Sequence, residues 1–268
     1  MKYKLITMIA IKNLEVRVWE KEIIKGVSME FELGKNYCIL WRNGSGKSTL
    51  SSVLMGHPKY EVTGGEIYLY ETTQPDTLLA GEGTHGKNLL EMEANERSNA
   101  GIFLSFQNIP EIKGVKLSEY LRTIFNVAQK QKNPEFQDFS PFLFKRYIKK
   151  HLEELHIDEV FLDRDLNVWF SGGEKRKIEI LQMKLIGPKY IILDEIDSGL
   201  DLDAFKTVAS MLQSLSSTEN SLIIITHYFT ILEYIDVDTV YVMKDGKVTK
   251  QWGKELATEV QEKGYGEG

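Results

Sequence analysis

The stretch Trp41-Arg42-Asn43-Gly44-Ser45-Gly46-Lys47-Ser48-Thr49 constrains this chain more than any other. An apolar run, Tyr37-Cys38-Ile39-Leu40, precedes it, and a helical run, Leu50 to Met55, follows. Strand, glycine loop ending in Lys-Ser, helix is the order of a phosphate-binding loop. Gly44 and Gly46 let successive backbone N–H groups turn inward around an anion. The helix that starts near Lys47 aims its free N–H groups and positive dipole end at the same place. Lys47 adds a mobile cation, and Ser48 offers a hydroxyl to a magnesium ion.

The first position of this pattern calls for glycine, and the chain has Trp41 there. Two readings are open. Trp41 extends the strand, so that the turn starts one residue later, or its indole strains or blocks the loop. A glycine turn that binds nothing is the bland alternative.

A chain of 268 residues can bury a full core, as one large domain or two subdomains. Lys+Arg minus Asp+Glu is 33 − 39 = −6. That balance argues against non-specific nucleic-acid binding, which needs a basic excess, although a local basic patch stays possible. The one cysteine, Cys38, lies in an apolar strand and reads as a buried core thiol. No apolar run reaches the ~20 residues of a membrane span. The early apolar run Leu5 to Ile11 is too short for a signal peptide, and a cytoplasmic protein is expected.

Periodicity predicts an α/β chain. Leu14, Val16 and Val18 share one face, and Val27, Met29, Phe31 and Leu33 repeat a period of two, the pattern of half-buried antiparallel strands. A strand is expected from Glu66 to Tyr70 after Gly64-Gly65, a polar surface loop over 71–88, and a short helix from Asn88 to Ser98. Gly101 to Phe106 reads as a strand buried on both faces. Helices follow, one with the stripe Leu117, Leu121, Ile124, Phe125, Ala128 and Ser118 as N-cap. The next opens at Ser140-Pro141 with the stripe Phe144, Ile148, Leu152, Leu155. Buried strands return at Tyr190 to Leu193 and Leu222 to Ile225, separated by helices over 174–186 and 203–215. Lys244-Asp245-Gly246 marks a hairpin turn. The last dozen residues are polar.

Chemistry concentrates at the ends of these elements. Asp194-Glu195 closes an apolar strand, where ligands sit in α/β sheets. Asp194 could hold magnesium through water there, and Glu195 could orient or deprotonate a water attacking a γ-phosphate. An Asp-Glu pair that caps the next helix is the alternative. Ser171-Gly172-Gly173-Glu174 opens a helix and exposes N–H groups, as a second anion site or an ordinary cap. The neighbouring Lys175, Arg176, Lys177 and Lys184 fit a solvated face. Ser198-Gly199-Leu200-Asp201 reads as a turn plus cap. His227 and Gln107 each end a buried strand.

In this order the pieces resemble an ABC-type P-loop ATPase, over about residues 8–266. The resemblance implies a mostly parallel core sheet, an N-terminal antiparallel β subdomain and an α-helical subdomain. It divides the chain into a nucleotide-binding core at 8–107 and 171–250, a helical insert at 108–170 and a tail at 251–268. It matches the Walker A loop to Asn43, Gly44, Ser45, Gly46, Lys47, Ser48 and Thr49, the Q-loop to Gln107, and the signature to Ser171, Gly172, Gly173 and Glu174. Walker B matches Ile191 to Glu195, the D-loop Ser198 to Asp201, and the switch histidine His227. Within that family the chain is similar to the SufC group, the ATPases of the SUF iron–sulfur cluster assembly system. Gly56 to Gly65, Phe170 to Lys177, Asp194 to Asp201, Thr226-His227-Tyr228 and Gly264-Tyr265-Gly266 carry that likeness. It implies ATP and Mg2+ as ligands, with the ion on Ser48, Gln107 and Asp194, Glu195 and His227 as catalytic groups, and Asp201 among the nucleotide-site residues. It also implies an ATP-dependent head-to-tail dimer, SufB- and SufD-like partners docking near Gln107, and neither nucleic-acid binding nor membrane insertion. A membrane-transporter ATPase subunit and a non-hydrolysing nucleotide-binding module are the other readings.

Overall fold

The computed structural model describes residues 6–41, 47–72 and 86–253, with only the backbone of Lys47 and Thr72. Asn43, Gly44, Ser45 and Gly46 lie outside the described residues, as do the polar stretch at 73–85 and the tail at 254–268.

In chain order the strands are β1 (Ile6–Val18), β2 (Lys21–Glu32), β3 (Tyr37–Trp41), β4 (Glu61–Thr72), β5 (Lys87–Asn88), β6 (Ile102–Ser105), β7 (Ile112–Lys116), β8 (Asp165–Leu166), β9 (Tyr190–Asp194), β10 (Ser221–Thr226), β11 (Thr239–Lys244) and β12 (Lys247–Trp252). The α-helices are α1 (Lys47–Leu54), α2 (Ala94–Asn99), α3 (Leu117–Lys132), α4 (Pro141–Glu154), α5 (Gly172–Ile186) and α6 (Leu202–Leu215). This is the α/β architecture the sequence implied, with a mostly parallel sheet, an antiparallel sheet and a helical part.

Two compact units divide the chain. The first holds residues 1–104, 189–195 and 216–268, and the second 105–188 and 196–215. In the first unit a six-stranded sheet runs β12-β11-β3-β10-β9-β6, and a four-stranded antiparallel sheet runs β2-β1-β4-β5. β11, β3, β10 and β9 are mutually parallel neighbours. Period-two burial explains the antiparallel sheet: Ile9, Ile11, Leu14 and Val16 face a core shared with Phe31, Ile39 and Ile225. Met8 and Ala10 face the other side with Tyr70.

Trp41 is the last residue of β3, pairs with Met243 of β11 and is fully buried. The tryptophan therefore extends the strand, and hydrophobic burial of about the largest side chain available holds it there. β4 starts at Glu61, five residues before the expected Glu66, and runs through both glycines. β1 bulges opposite them, and a Cβ on Gly65 would collide with the carbonyl of Asn13. Glycine inside this strand accommodates a backbone approach and does not end the strand. The helix expected over 88–98 is broken into a 3-10 turn, Leu89–Glu91, and the short α2.

In the second unit, Ser140 caps α4 through its side chain with Pro141 in the first turn, as expected. Gly187 ends α5 in the left-handed region, φ 65°. Ser118 does not cap α3; Lys116 occupies that position and Ser118 lies inside the helix. Helix α5 packs on α3 and α6, so α5 and α6 belong with the insert helices. Among the described residues no helix is long and apolar enough to cross a membrane.

Candidate functional site

The register of the parallel strands brings the chemistry of the first unit to one sheet edge. Asp194 pairs with Ile225, Thr226 with Leu40, and Trp41 with Met243. The carboxyl ends of β3, β9 and β10 are therefore level, with α1, Glu195 and His227 just beyond them. Ser48 is half-buried and Thr49 buried in the first turn of α1. Ser51, one turn on, donates 2.8 Å to Asp194 Oδ2 and 3.2 Å to the carbonyl of Ser48. Asp194 is only 4% exposed, so this hydroxyl anchors a buried carboxylate to α1. The sequence reading passed over Ser51, although its place three residues after Ser48 on an eight-residue helix was a usable signal.

Glu195 follows the strand at φ +48°, an uncommon region for a non-glycine residue. Its N–H donates 2.9 Å to the carbonyl of Ile225, which continues the ladder, and its side chain turns to His227. His227 Nδ1 lies 3.2 Å from Glu195 Oε1. Glu195 is 8% exposed and the His227 side chain 21%, so a carboxylate and an imidazole share one partly buried position at the strand ends.

The second unit carries the other motif. Ser171 caps α5: its hydroxyl accepts from the N–H of Glu174 at 3.3 Å, and Glu174 Oε2 accepts from the N–H of Ser171 at 2.7 Å. Glu174 is thus committed to a capping box. A Cβ on Gly172 would stand 2.9 Å from the carbonyl of Gly199, whereas one on Gly173 would meet the Ala204 methyl at an ordinary 3.5 Å. Gly172 is required because the turn Ser198 to Asp201 crosses the start of α5. Asp201 caps α6, accepting from the N–H of Ala204 at 2.8 Å.

Arg176 corrects the solvated-face reading, being 4% exposed. Its Nη1 donates to Glu179 at 2.7 Å, to Ser105 Oγ at 2.8 Å and to the carbonyl of Phe106 at 2.8 Å; its Nη2 donates to the carbonyl of Gln107 at 3.2 Å. One guanidinium thereby ties the backbone at Gln107 to α5. Burial holds the Glu179 carboxyl above the usual range against Arg176 and Ser105. Lys175 pairs with Glu111 at 2.8 Å. Burial likewise pushes the Cys38 thiol up, which suits the core reading.

The family model for ABC transporters matches residues 24–198. The chain belongs to the ABC transporter family. This ABC protein is 44% identical to a probable ATP-dependent transporter of Synechocystis, over 97% of the present chain and 94% of that protein. It is 43% identical to vegetative protein 296 of Bacillus subtilis, over 96% and 91%. A nucleotide-free ATP-binding cassette from an ABC transporter superposes with a TM-score of 0.68 at 24% identity, covering 96% of this chain and 95% of the other. A dimeric cassette in a post-hydrolysis state with ADP and Pi superposes with a TM-score of 0.69 at 18% identity, covering 91% and 98%. The fold is that of the ABC ATPases, and the chain is an ABC-type ATPase domain.

Within the first unit, Ser48 offers a hydroxyl and Asp194 a carboxylate bonded by Ser51, hard oxygen donors of the kind that suit an ion such as Mg2+.

Proposed function

We propose that this ABC ATPase domain hydrolyses ATP to drive conformational change in a SufB/SufD-like scaffold during iron–sulfur cluster assembly, through ATP-dependent head-to-tail dimerisation. The observation that carries the hydrolytic part is the Glu195–His227 pair at the carboxyl edge of the parallel sheet. The SufC-like runs Gly56 to Gly65 and Asp194 to Asp201 support the choice of partner. With one cysteine, buried in β3, cluster chemistry falls to the scaffold.

In this reading Asn43 to Thr49 of one copy cradle the triphosphate. The N–H groups around Ser171, Gly172 and Gly173 of the other copy close on the γ-phosphate, with Glu174 and Asp201 shaping that second half by capping α5 and α6. Ser48, Gln107 and Asp194 would hold Mg2+, which would supply charge neutralisation at the phosphate oxygens. Glu195 orients the attacking water and accepts its proton. His227 holds Glu195 in place and reaches toward the γ-phosphate. A single copy has little activity because it lacks the partner's helix end. The scaffold docks beside Gln107, whose backbone Arg176 ties to α5.

The names of several relatives, "probable ATP-dependent transporter", favour a second reading as the ATPase subunit of a membrane transporter. Affinity capture of the chain from its own cells, followed by mass spectrometry, separates the two. Soluble SufB/SufD-like scaffolds are expected; an integral membrane permease recovered in stoichiometric amount would replace the first reading by the second.

A further inference from the structure

A cavity of about 550 Å3 adjoins the C-terminal end of α1, lined among others by Gly56, His57, Tyr60, Thr63 and Arg97. Arg97 is 4% exposed, yet its bonds go to neutral carbonyls. Nε donates to Met92 at 2.9 Å, and Nη1 to Val53 at 2.6 Å and Leu54 at 3.1 Å. Nη2 finds no acceptor among the described residues, and no carboxylate there comes within ion-pair distance of the guanidinium. A Cβ on Gly56, φ +74°, would fall 3.0 Å from Nη2. The missing side chain leaves that face of the guanidinium, Nη2 included, uncovered beside the cavity. A buried cation without a counter-ion is costly. Burial pulls the Arg97 pKa down, and the charge of Glu93 opposes this only in part.

We propose that this cavity binds the oxyanion group of a small acid, a carboxylate or a phosphate, received by Nη2 of Arg97 and walled by His57, Tyr60 and Thr63. With Nε and Nη1 committed to carbonyls, the two hydrogens of Nη2 are the donors left for an oxyanion. Two negative groups border the site: Glu93, and Glu15, whose carboxylate lies where a Cβ on Gly64 would come within 2.9 Å. They disfavour highly charged ligands. The same guanidinium holds the last carbonyls of α1, so an occupant is linked to the helix that begins at Lys47. Binding itself is independent of whether the chain hydrolyses ATP.

Amide and guanidinium 15N NMR of the whole chain, titrated with succinate and, separately, with inorganic phosphate at millimolar concentrations, tests the site. Expected are saturable shifts at Gly56, Thr63 and Arg97 Nε with at least one probe. The probe that gives them tells a carboxylate from a phosphate ligand. Thr63→Glu places a competing carboxylate on an exposed wall position; it is expected to abolish the shifts while the melting temperature stays unchanged. Arg97→Lys keeps the charge, loses the Nη2 donor and weakens binding by roughly tenfold. Shifts confined to the glycine loop at Gly44 and Gly46, no shifts with either probe, or shifts that survive Thr63→Glu would each overturn the proposal.

Discussion

His227 Nδ1 stands 3.2 Å from Glu195 Oε1, across the ends of two adjacent parallel strands. Neither residue is near the other in sequence. What joins them is the pairing of β9 with β10 and the left-handed turn at Glu195, which swings the carboxylate off the strand axis toward the imidazole. In the proposed mechanism this pair holds the attacking water.

Glu195→Gln keeps the shape and the contact with His227 but removes the proton acceptor. Steady-state ATP turnover is expected to fall at least roughly 100-fold. Light scattering or size exclusion should show that ATP-dependent dimers persist or increase. Turnover that stays at the parent level would take Glu195 out of the mechanism.

Ser51→Ala removes the hydroxyl that donates to the buried Asp194. Leaving a buried carboxylate without this donor costs about 1–3 kcal/mol in unfolding free energy, measured by denaturant titration. Mg2+ dependence of ATP turnover should move to higher metal concentration, because Asp194 is no longer held in one orientation. Ser51→Thr, which retains the hydroxyl, should recover most of both.

The two signature glycines should separate cleanly by thermal melting. Gly172→Ala drives a methyl against the carbonyl of Gly199, a backbone atom, and is expected to lower the melting temperature. Gly173→Ala meets only the Ala204 methyl at contact distance. In a helix it should leave stability equal or raise it by up to about 1 kcal/mol. Equal destabilisation by both would contradict the packing described.

Trp41→Gly is a test of stability before it is a test of nucleotide affinity. The indole is fully buried in the core under β3, and its removal opens a cavity costing about 3–5 kcal/mol. Calorimetric titration with Mg·ATP should show binding by the parent chain. Near-zero binding by well-folded parent protein that Trp41→Gly restores would show that the indole does block the loop.

Much of this was legible in the chain. The order of motifs, the buried strands around Ile192 and Ile224, the cap at Ser140 and the left-handed Gly187 all follow from local rules: period, capping chemistry and glycine's freedom at positive φ. Where local rules misled, a tertiary contact was in control. β4 runs through Gly64-Gly65 because β1 bulges against it, and Ser118 is not a cap because the helix starts one residue earlier on the buried Leu117.

By itself the sequence determined the α/β class and the family likeness, and it supplied the proposal for the phosphate-loop and strand-end residues, because these depend on residue type and spacing along one segment. Only the tertiary structure decided that Trp41 is core, that Arg176 is a buried clasp on the carbonyls of Phe106 and Gln107, that Ser51 serves Asp194, and that Arg97 faces a cavity with a donor to spare. The physical reason is that burial and hydrogen-bond partners are set by segments distant in sequence. A charged side chain in a helix looks the same on paper whether solvent or a folded-back carbonyl will meet it.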